Sequence, residues 1–399
     1  MKRRAFNIGL FLIVFCVALI VAMAARGQRN NASQSQPMPI AEYVVSGPYT
    51  HKNLTIFLLH GASQSQGRAP LTLQEAMKRK LVVVRETGDV NRLTIQNRSN
   101  QDVFVQAGDI VKGGQQDRVL ALDLIVPPRS GRIPIDAFCV EQGRWSRRGD
   151  EAVTAFSVSD NGLVSKDLKI AAKAKGSQDE VWANVGKAQE KLAANLTVTP
   201  GAMLLATTAP GRTSRSEALA RGGGGGNAGG SNRAGGGQTT GSGSIGRLTS
   251  VADSASPSSL QLTLENKLVK DTANDYVKKL SSIISGKADV IGFVFAINGQ
   301  INSADVYSSN ALFVKLWPKM LEASAIEAIA ELKADAKFQP VEANAVKGFL
   351  RESHAGKAET KKVTARTSML KSETEKNLYF ETRDLSRAKM WLHRNYLAK

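Results

Sequence analysis

The residues best suited to chemistry lie between Gln101 and Trp145. Asp117 and Glu141 are carboxylates that could act as general acid or base, provided that a desolvated cleft shifts their pKa. Cys139 could act as a nucleophile aided by Glu141 and Arg144, because a reactive thiolate needs a nearby base or cation. The alternative for Cys139 is a buried, inert thiol, which its strand-like apolar surroundings favour.

Ligand binding is the second chemistry that this stretch suggests. A Gly-Gly pair lets the backbone approach a ligand closely, and successive amides in such a turn can bind an anion. The simpler alternative is a tight turn between two strands whose charged side chains pair with one another. The candidate binding residues are Lys112, Gly113, Gly114, Gln115, Gln116, Arg118, Gln142, Arg144 and Trp145.

Metal and cofactor sites have little support in the sequence. No pair of cysteines or histidines has ligand spacing, and the four histidines are His51, His60, His354 and His393. Asp102, Asp109, Asp117, Asp123 and Asp136 could converge on a hard cation, but carboxylates scattered over strands are usually surface groups. No phosphate-loop motif occurs, so we predict neither a metal nor a cofactor.

The elements that would position these residues are mostly short strands. Turn residues separate the apolar runs, and Thr72 with Glu75 has the spacing of a capping box at the start of a short helix. Closely spaced strands without long crossovers predict an α+β fold with a mainly antiparallel sheet or sandwich core and packed helices. The predicted strands are 53–60, 81–86, 92–96, 103–106, 119–126 and 133–140.

The sequence of the second half of the chain predicts a β-hairpin with helices on either side of it. Asn298-Gly299 is the dipeptide best suited to a type I′ turn, and it separates strands 290–297 and 300–306. Pro318 should bend the helix that follows. The predicted helices are 178–194, 262–285, 310–329 and a closing helix at Ser386–Leu397, with a short strand at 378–380.

Composition divides the chain into segments. Residues 207–256 are so rich in glycine and serine that we predict a disordered insertion, which interrupts one domain formed by residues 43–206 and 257–350. Residues 351–399 are lysine-rich and predict a polar tail that ends in the short helix. Residues 1–25 and 26–42 predict a signal peptide or membrane anchor and a flexible tether.

The beginning of the chain and its net charge bear on location and partners. Lys2, Arg3 and Arg4 precede an apolar run, which predicts export to the periplasm or medium; an uncleaved segment would instead anchor the protein to a membrane. The formal net charge of +18 favours salt-sensitive attraction to polyanions. Solubility is the alternative explanation of that charge.

Three segments together resemble a known bacterial family. They read VQAGDIVKGGQQDRVLALDLIVPPRSG, FCVEQGRW and VIGFVFAINGQINSADVYSSNALFVKLWPKML. They are similar to the "ARG and rhodanese-phosphatase-superfamily-associated protein" family over about residues 45 to 345. The resemblance implies that the halves form one domain, with the hairpin packed against the first sheet. It also implies a link to ADP-ribose or NAD metabolism.

Three functions follow as hypotheses. The first is a non-enzymatic, exported module that uses the GDIVKGGQQDR turn and the CVEQGRW segment to bind an anionic small molecule or a partner protein. The second is a hydrolase of an ADP-ribose-type or other phosphorylated compound. The third is attachment to polyanions at the cell surface.

Overall fold

The computed structural model describes residues 43–64, 67–197, 256–333, 336–387 and 390–399. The predicted signal segment and tether, residues 1–42, lie outside this described part, as does the predicted insertion except for Ser256. The described residues form one compact unit. No helix in the described part is long and apolar enough to cross a membrane.

The largest element is an eight-stranded antiparallel sheet built from both halves of the chain. Its strand order is β1-β2-β12-β13-β17-β16-β15-β14. The strands are β1 Val44–His51, β2 Leu54–His60, β12 Val290–Ile297, β13 Gln300–Tyr307, β14 Lys357–Lys362, β15 Thr367–Glu373, β16 Asn377–Asp384 and β17 Met390–Ala398. Because β2 pairs with β12, the hairpin does join the first half of the domain.

Two smaller sheets hold the stretch that carries the candidate residues. A six-stranded sheet has the order β11-β7-β8-β10-β5-β4, and a three-stranded sheet has the order β3-β6-β9. The strands are β3 Leu71–Thr72, β4 Val82–Glu86, β5 Arg92–Asn97, β6 Val103–Val105, β7 Asp109–Gly113, β8 Arg118–Leu120, β9 Leu124–Val126, β10 Ile133–Cys139 and β11 Phe156–Leu163. The strand predicted over 119–126 is therefore two strands in different sheets.

The helices are α1 Leu73–Lys78, α2 Lys166–Lys169, a π-helix at Ile170–Lys175, α3 Gln178–Thr197, α4 Leu260–Glu265, α5 Lys267–Leu280, a 3₁₀ turn at Ser281–Ile284, α6 Asn310–Ala330 and α7 Ala343–Glu352. Thr72 caps α1 in the predicted capping box, and Pro318 lies inside α6. The helix predicted over 262–285 divides at Asn266, whose side chain accepts a hydrogen bond from the Leu268 amide and starts α5.

Two apolar cores hold these layers together. One lies between the two smaller sheets and includes Val84, Leu93 and Val105, all fully buried. The other joins the large sheet to the helices and to the six-stranded sheet, through residues such as Phe293 of β12 and Phe138 of β10. Extensive antiparallel pairing with packed helices confirms the predicted α+β class.

The prediction for the C-terminal segment was wrong. Residues 351–399 are not a polar tail with a closing helix, because four strands of the large sheet lie there and β17 pairs on both sides, with β13 and β16. In β17, Asn395 and Leu397 pack on one face, while Arg394 and Tyr396 contact groups on the other. That alternation has the period of a strand, and two-sided pairing outweighs any local helical preference.

Candidate functional site

The Gly113-Gly114 turn joins β7 to β8. Its backbone amides could bind an anion, but they donate to carboxylates of the protein itself. Both glycines have positive φ, 111° and 59°. The Gly113 amide donates to Asp117 Oδ1 at 2.9 Å, and the Gln115 amide donates to Glu86 Oε1 at 3.0 Å. Carboxylates of the protein already accept hydrogen bonds from these amides. The turn therefore matches the second interpretation, a tight turn with internally paired charges, and not an open ligand site.

Asp117 is fully buried and paired with an arginine that the sequence did not single out. Arg148 Nη1 and Nη2 lie 2.9 and 3.0 Å from the two carboxylate oxygens, so the pair is bidentate. Ser259 adds a hydroxyl at 2.8 Å from Oδ2. Burial acts to lower the pKa of Arg148, but the hydrogen bonds that Arg148 donates to Asp117 and Glu151 outweigh it and raise that pKa.

Glu141 lies beside this pair, and both of its carboxylate oxygens likewise accept hydrogen bonds. Arg144 donates to both of its oxygens, at 2.7 Å from Nε and 2.6 Å from Nη2, and the Asp117 amide donates at 3.1 Å. Ser256 donates a further hydrogen bond. Burial acts to raise the pKa of Glu141, but these hydrogen bonds outweigh it and lower that pKa below its ordinary value. A carboxylate held ionised in this way is poorly suited to act as a general acid.

The remaining cationic candidates also have acidic partners. Lys112 Nζ lies 2.5 Å from Glu265 of α4. Arg118 is buried, with Nη2 3.6 Å from Glu86 and Nη1 donating to the Gln116 carbonyl at 3.0 Å. The structure thus brings the predicted residues together around the turn, but as ion pairs that link strands and loops.

One consequence of this network is a loop held firmly at the surface. Arg144 donates to the carbonyls of Gly114 and Ser146, at 3.2 and 2.6 Å, and Arg148 holds the next turn of the loop through Asp117. The loop, residues 142–147, exposes 51% of Trp145. The Arg118 guanidinium lies 6.0 Å from the centre of the indole ring.

Cys139 is a buried thiol at the end of β10. Its amide donates to Gln178 Oε1 at 2.8 Å, and Gln178 Nε2 returns a hydrogen bond to the Cys139 carbonyl at the same distance. Burial, above all, raises the pKa of the thiol to about 11. A nucleophile needs the thiolate near neutral pH, so this environment favours the structural interpretation.

A second buried polar cluster escaped the sequence analysis. His393 of β17 lies between two aspartates, with Nδ1 3.2 Å from Asp123 and Nε2 2.9 Å from Asp305. Lys173 of the π-helix donates to Asp123 at 2.8 Å, and the Tyr307 ring stacks on the imidazole at 4.6 Å. Burial acts to lower the pKa of His393, but the two carboxylates outweigh it and raise that pKa. The cluster joins the loop between β8 and β9, which carries Asp123, to the π-helix and to β13 and β17 of the large sheet.

The aspartates considered for a metal are dispersed. Asp102 pairs with Arg366, Asp109 with Lys319, and Asp123 with Lys173. Within the described residues, no group of three or more His, Cys, Asp or Glu side chains could hold a metal ion.

The sequence contained signals for part of this site. The Gly-Gly pair and the alternating charges indicated a turn with paired ions, which the structure contains. Arg148 lies only seven positions after Glu141, yet nothing distinguished it from the exposed Arg147. Ser256, the last residue of the predicted insertion, and Ser259, just beyond it, also contact the site, and no local pattern identifies such partners.

Fold and site together define an α+β domain in which buried carboxylates anchor an exposed loop. The chain belongs to the family described as ARG and Rhodanese-Phosphatase-superfamily-associated Protein domain, whose match covers residues 42–397. This confirms the family that the three segments resembled and extends the domain beyond residue 345, through β17. Comparisons with curated proteins and with solved structures find no significant match.

Proposed function

We propose that this protein is a non-catalytic binding module whose loop 142–147 contacts a phosphorylated ligand that carries an aromatic ring. The observation that carries the proposal is the half-exposed Trp145 on a loop anchored by buried ion pairs. An aromatic side chain held in place can stack on the ring of a ligand at little entropic cost.

The state of the carboxylates supports binding over hydrolysis. Asp117 and Glu141 accept hydrogen bonds from Arg148 and Arg144, and both are fully buried. A general acid or base must exchange a proton with substrate, so groups whose oxygens are already occupied are unsuited to the hydrolase alternative.

The surroundings of Trp145 support an anionic ligand. Arg147, two residues further along the loop, is 55% exposed and its partner Asp150 is fully exposed, so this surface pair is weak and can open. Arg118 lies behind the indole ring. A base stacked on Trp145 with its phosphate near Arg147 fits this arrangement, and ADP-ribose is the probe that the family resemblance suggests.

A specific observation favours attachment to polyanions as a second candidate. Strand β14 reads KAETKK, forms the edge of the large sheet and is exposed at every residue. Its three lysines add to the overall positive charge. Such binding would be lost at high salt regardless of Trp145, which separates it from the first proposal.

Export is part of the proposal and concerns residues outside the described part. The basic residues and apolar run at the beginning of the chain support it. Mass spectrometry of the protein recovered from the periplasm or medium tests it. Recovery only in the cytoplasm would contradict export, and an uncut membrane-bound form would support the anchor.

The binding proposal is tested by calorimetric titration of the full chain with ADP-ribose. Trp145→Ala should weaken binding roughly 5- to 150-fold, because stacking of a base contributes roughly 1–3 kcal/mol. Trp145→Phe should retain most of the affinity.

Val314→Ala is the matched control, since Val314 is another large exposed apolar residue and lies on α6. It should bind like the wild type. Equal affinity of wild type and Trp145→Ala, or no binding by the wild type, contradicts the proposal.

A further inference from the structure

A groove of about 400 Å³ lies at the turn end of the β12–β13 hairpin, beside α2 and α6. Its lining includes Lys166, Asn302, Glu327, Lys333 and Phe338, none of which belongs to the Trp145 loop. Its size is that of sites for small molecules.

Asn302 is the residue that marks this groove. Phe295 pairs with Ser303 and Ala296 pairs with Ile301, so Asn302 is the extra residue of a β-bulge in β13. Bulges redirect side chains and often lie beside functional sites. Asn302 is only 8% exposed; its Nδ2 donates to Glu327 Oε1 at 2.9 Å, whereas its Oδ1 has no partner in the described part of the chain.

An acceptor without a partner in a buried side chain is costly. Leaving such a group unsatisfied costs about 1–3 kcal/mol, and native structures contain few examples. A ligand that donates a hydrogen bond to Oδ1 would remove this cost. Asn302 belongs to the groove lining, but its Oδ1 is itself buried, so the side chain must turn toward the groove for a ligand there to reach this atom.

Glu327 supplies the second polar group. It lies on α6, is partly exposed, and its oxygens accept from the Lys166 amide at 3.3 and 3.2 Å. Burial of the carboxyl outweighs the opposing effects of Asn302 and Lys166 and raises the pKa of Glu327 above its ordinary value.

The charges around the groove select the class of ligand. The lining carries as many basic as acidic groups: Glu327, Asp167 and Glu331 disfavour a phosphate or carboxylate, while Lys166, Lys191 and Lys333 disfavour an ammonium group. A neutral hydroxyl can donate a hydrogen bond to Asn302 Oδ1 or to a carboxylate oxygen of Glu327. Phe338 at the rim offers an apolar face to the C–H groups of a ring.

We propose that this groove binds the hydroxyl groups of a small neutral carbohydrate through Asn302 and Glu327. Phe338 covers one face of the sugar ring, and its backbone is fixed against the turn, because a Cβ on Gly299 would lie 3.1 Å from Phe338 Cβ. The inference goes beyond the proposed function and uses a different surface.

The test is an NMR titration of the full chain with D-glucose and D-ribose. Either sugar should shift the side-chain amide signal of Asn302 saturably at millimolar concentrations. Asn302→Leu, which is similar in size but lacks both polar atoms, should weaken binding at least about tenfold, the effect of losing one well-placed hydrogen bond to a ligand.

Asn91→Leu is the matched control, because Asn91 lies in the exposed β4–β5 turn, and it should bind sugar like the wild type. The Asn302 signal of the wild type serves as the test if Asn302→Leu does not fold. Absence of a saturable shift at Asn302 with either sugar overturns the proposal, as does a larger shift with inorganic phosphate or propylammonium.

Discussion

Asp117 and Glu141 are the two residues whose roles depend most on their partners. Each carboxylate is enclosed by an arginine, a serine and a backbone amide, and each therefore holds a loop that would otherwise be free. Buried ion pairs contribute little net stability when intact, but removal of one partner leaves an uncompensated charge. Loss of either carboxylate should therefore lower the stability of the fold and the order of the loop.

Replacement of Asp117 by Asn tests this role. Arg148 would lose its bidentate partner and keep only its contacts with Glu141 and Glu151, so the free energy of unfolding should fall by at most about 3–5 kcal/mol, measured by urea denaturation. Asp150→Asn removes the fully exposed partner of Arg147 and should change the midpoint little. Equal effects of the two substitutions would show that the buried pair has no special role.

His393 makes stability depend on pH. Its folded pKa is raised above the ordinary value of 6.5, so its contribution is fully present below pH 6.5 and is lost as the pH rises through the folded value. Stability of the wild type should therefore fall as the pH rises above 6.5. His393→Gln should be less stable at low pH and should lack this part of the slope, measured by urea denaturation across pH. An unchanged slope in the variant would contradict the assignment.

At the scale of elements, the sequence predicted the helices and turns that depend on a few neighbouring residues. The capping box of α1 and the Asn298-Gly299 hairpin follow from turn and cap chemistry within a few residues. The C-terminal strands were missed because their stability comes from neighbours far along the chain: β17 pairs with β13, which lies about ninety residues earlier. A helical interpretation of Ser386–Leu397 had no local evidence against it.

Truncation before β14 tests the corrected role of the C-terminal segment. Without residues 357–399, β13 loses its pairing with β17 and the large sheet loses half of its strands. The truncated chain should show no cooperative unfolding transition by circular dichroism. Removal of Lys399 alone, an exposed end residue, should leave the transition intact. A cooperative transition in the long truncation would restore the tail interpretation.

At the scale of the whole molecule, one domain is assembled from segments that are distant in sequence. The sequence predicted the α+β class and the union of both halves, because strand spacing and the family segments carry that information. It could not predict the strand order, in which β2 lies beside β12, or the contacts of Ser256 and Ser259 with the carboxylates. Those depend on long-range packing that no short pattern records.

We propose that Asp117 and Glu141 anchor a binding loop and do not hydrolyse its ligand. The most direct measurement is one NMR sample of the full chain titrated with ADP-ribose, in which the Trp145 indole signal and the phosphorus spectrum of the ligand are followed together. We expect a saturable shift at Trp145 and an unchanged phosphorus spectrum. New phosphorus signals that disappear in the Asp117→Asn, Glu141→Gln double variant, or no shift at Trp145, would contradict the account.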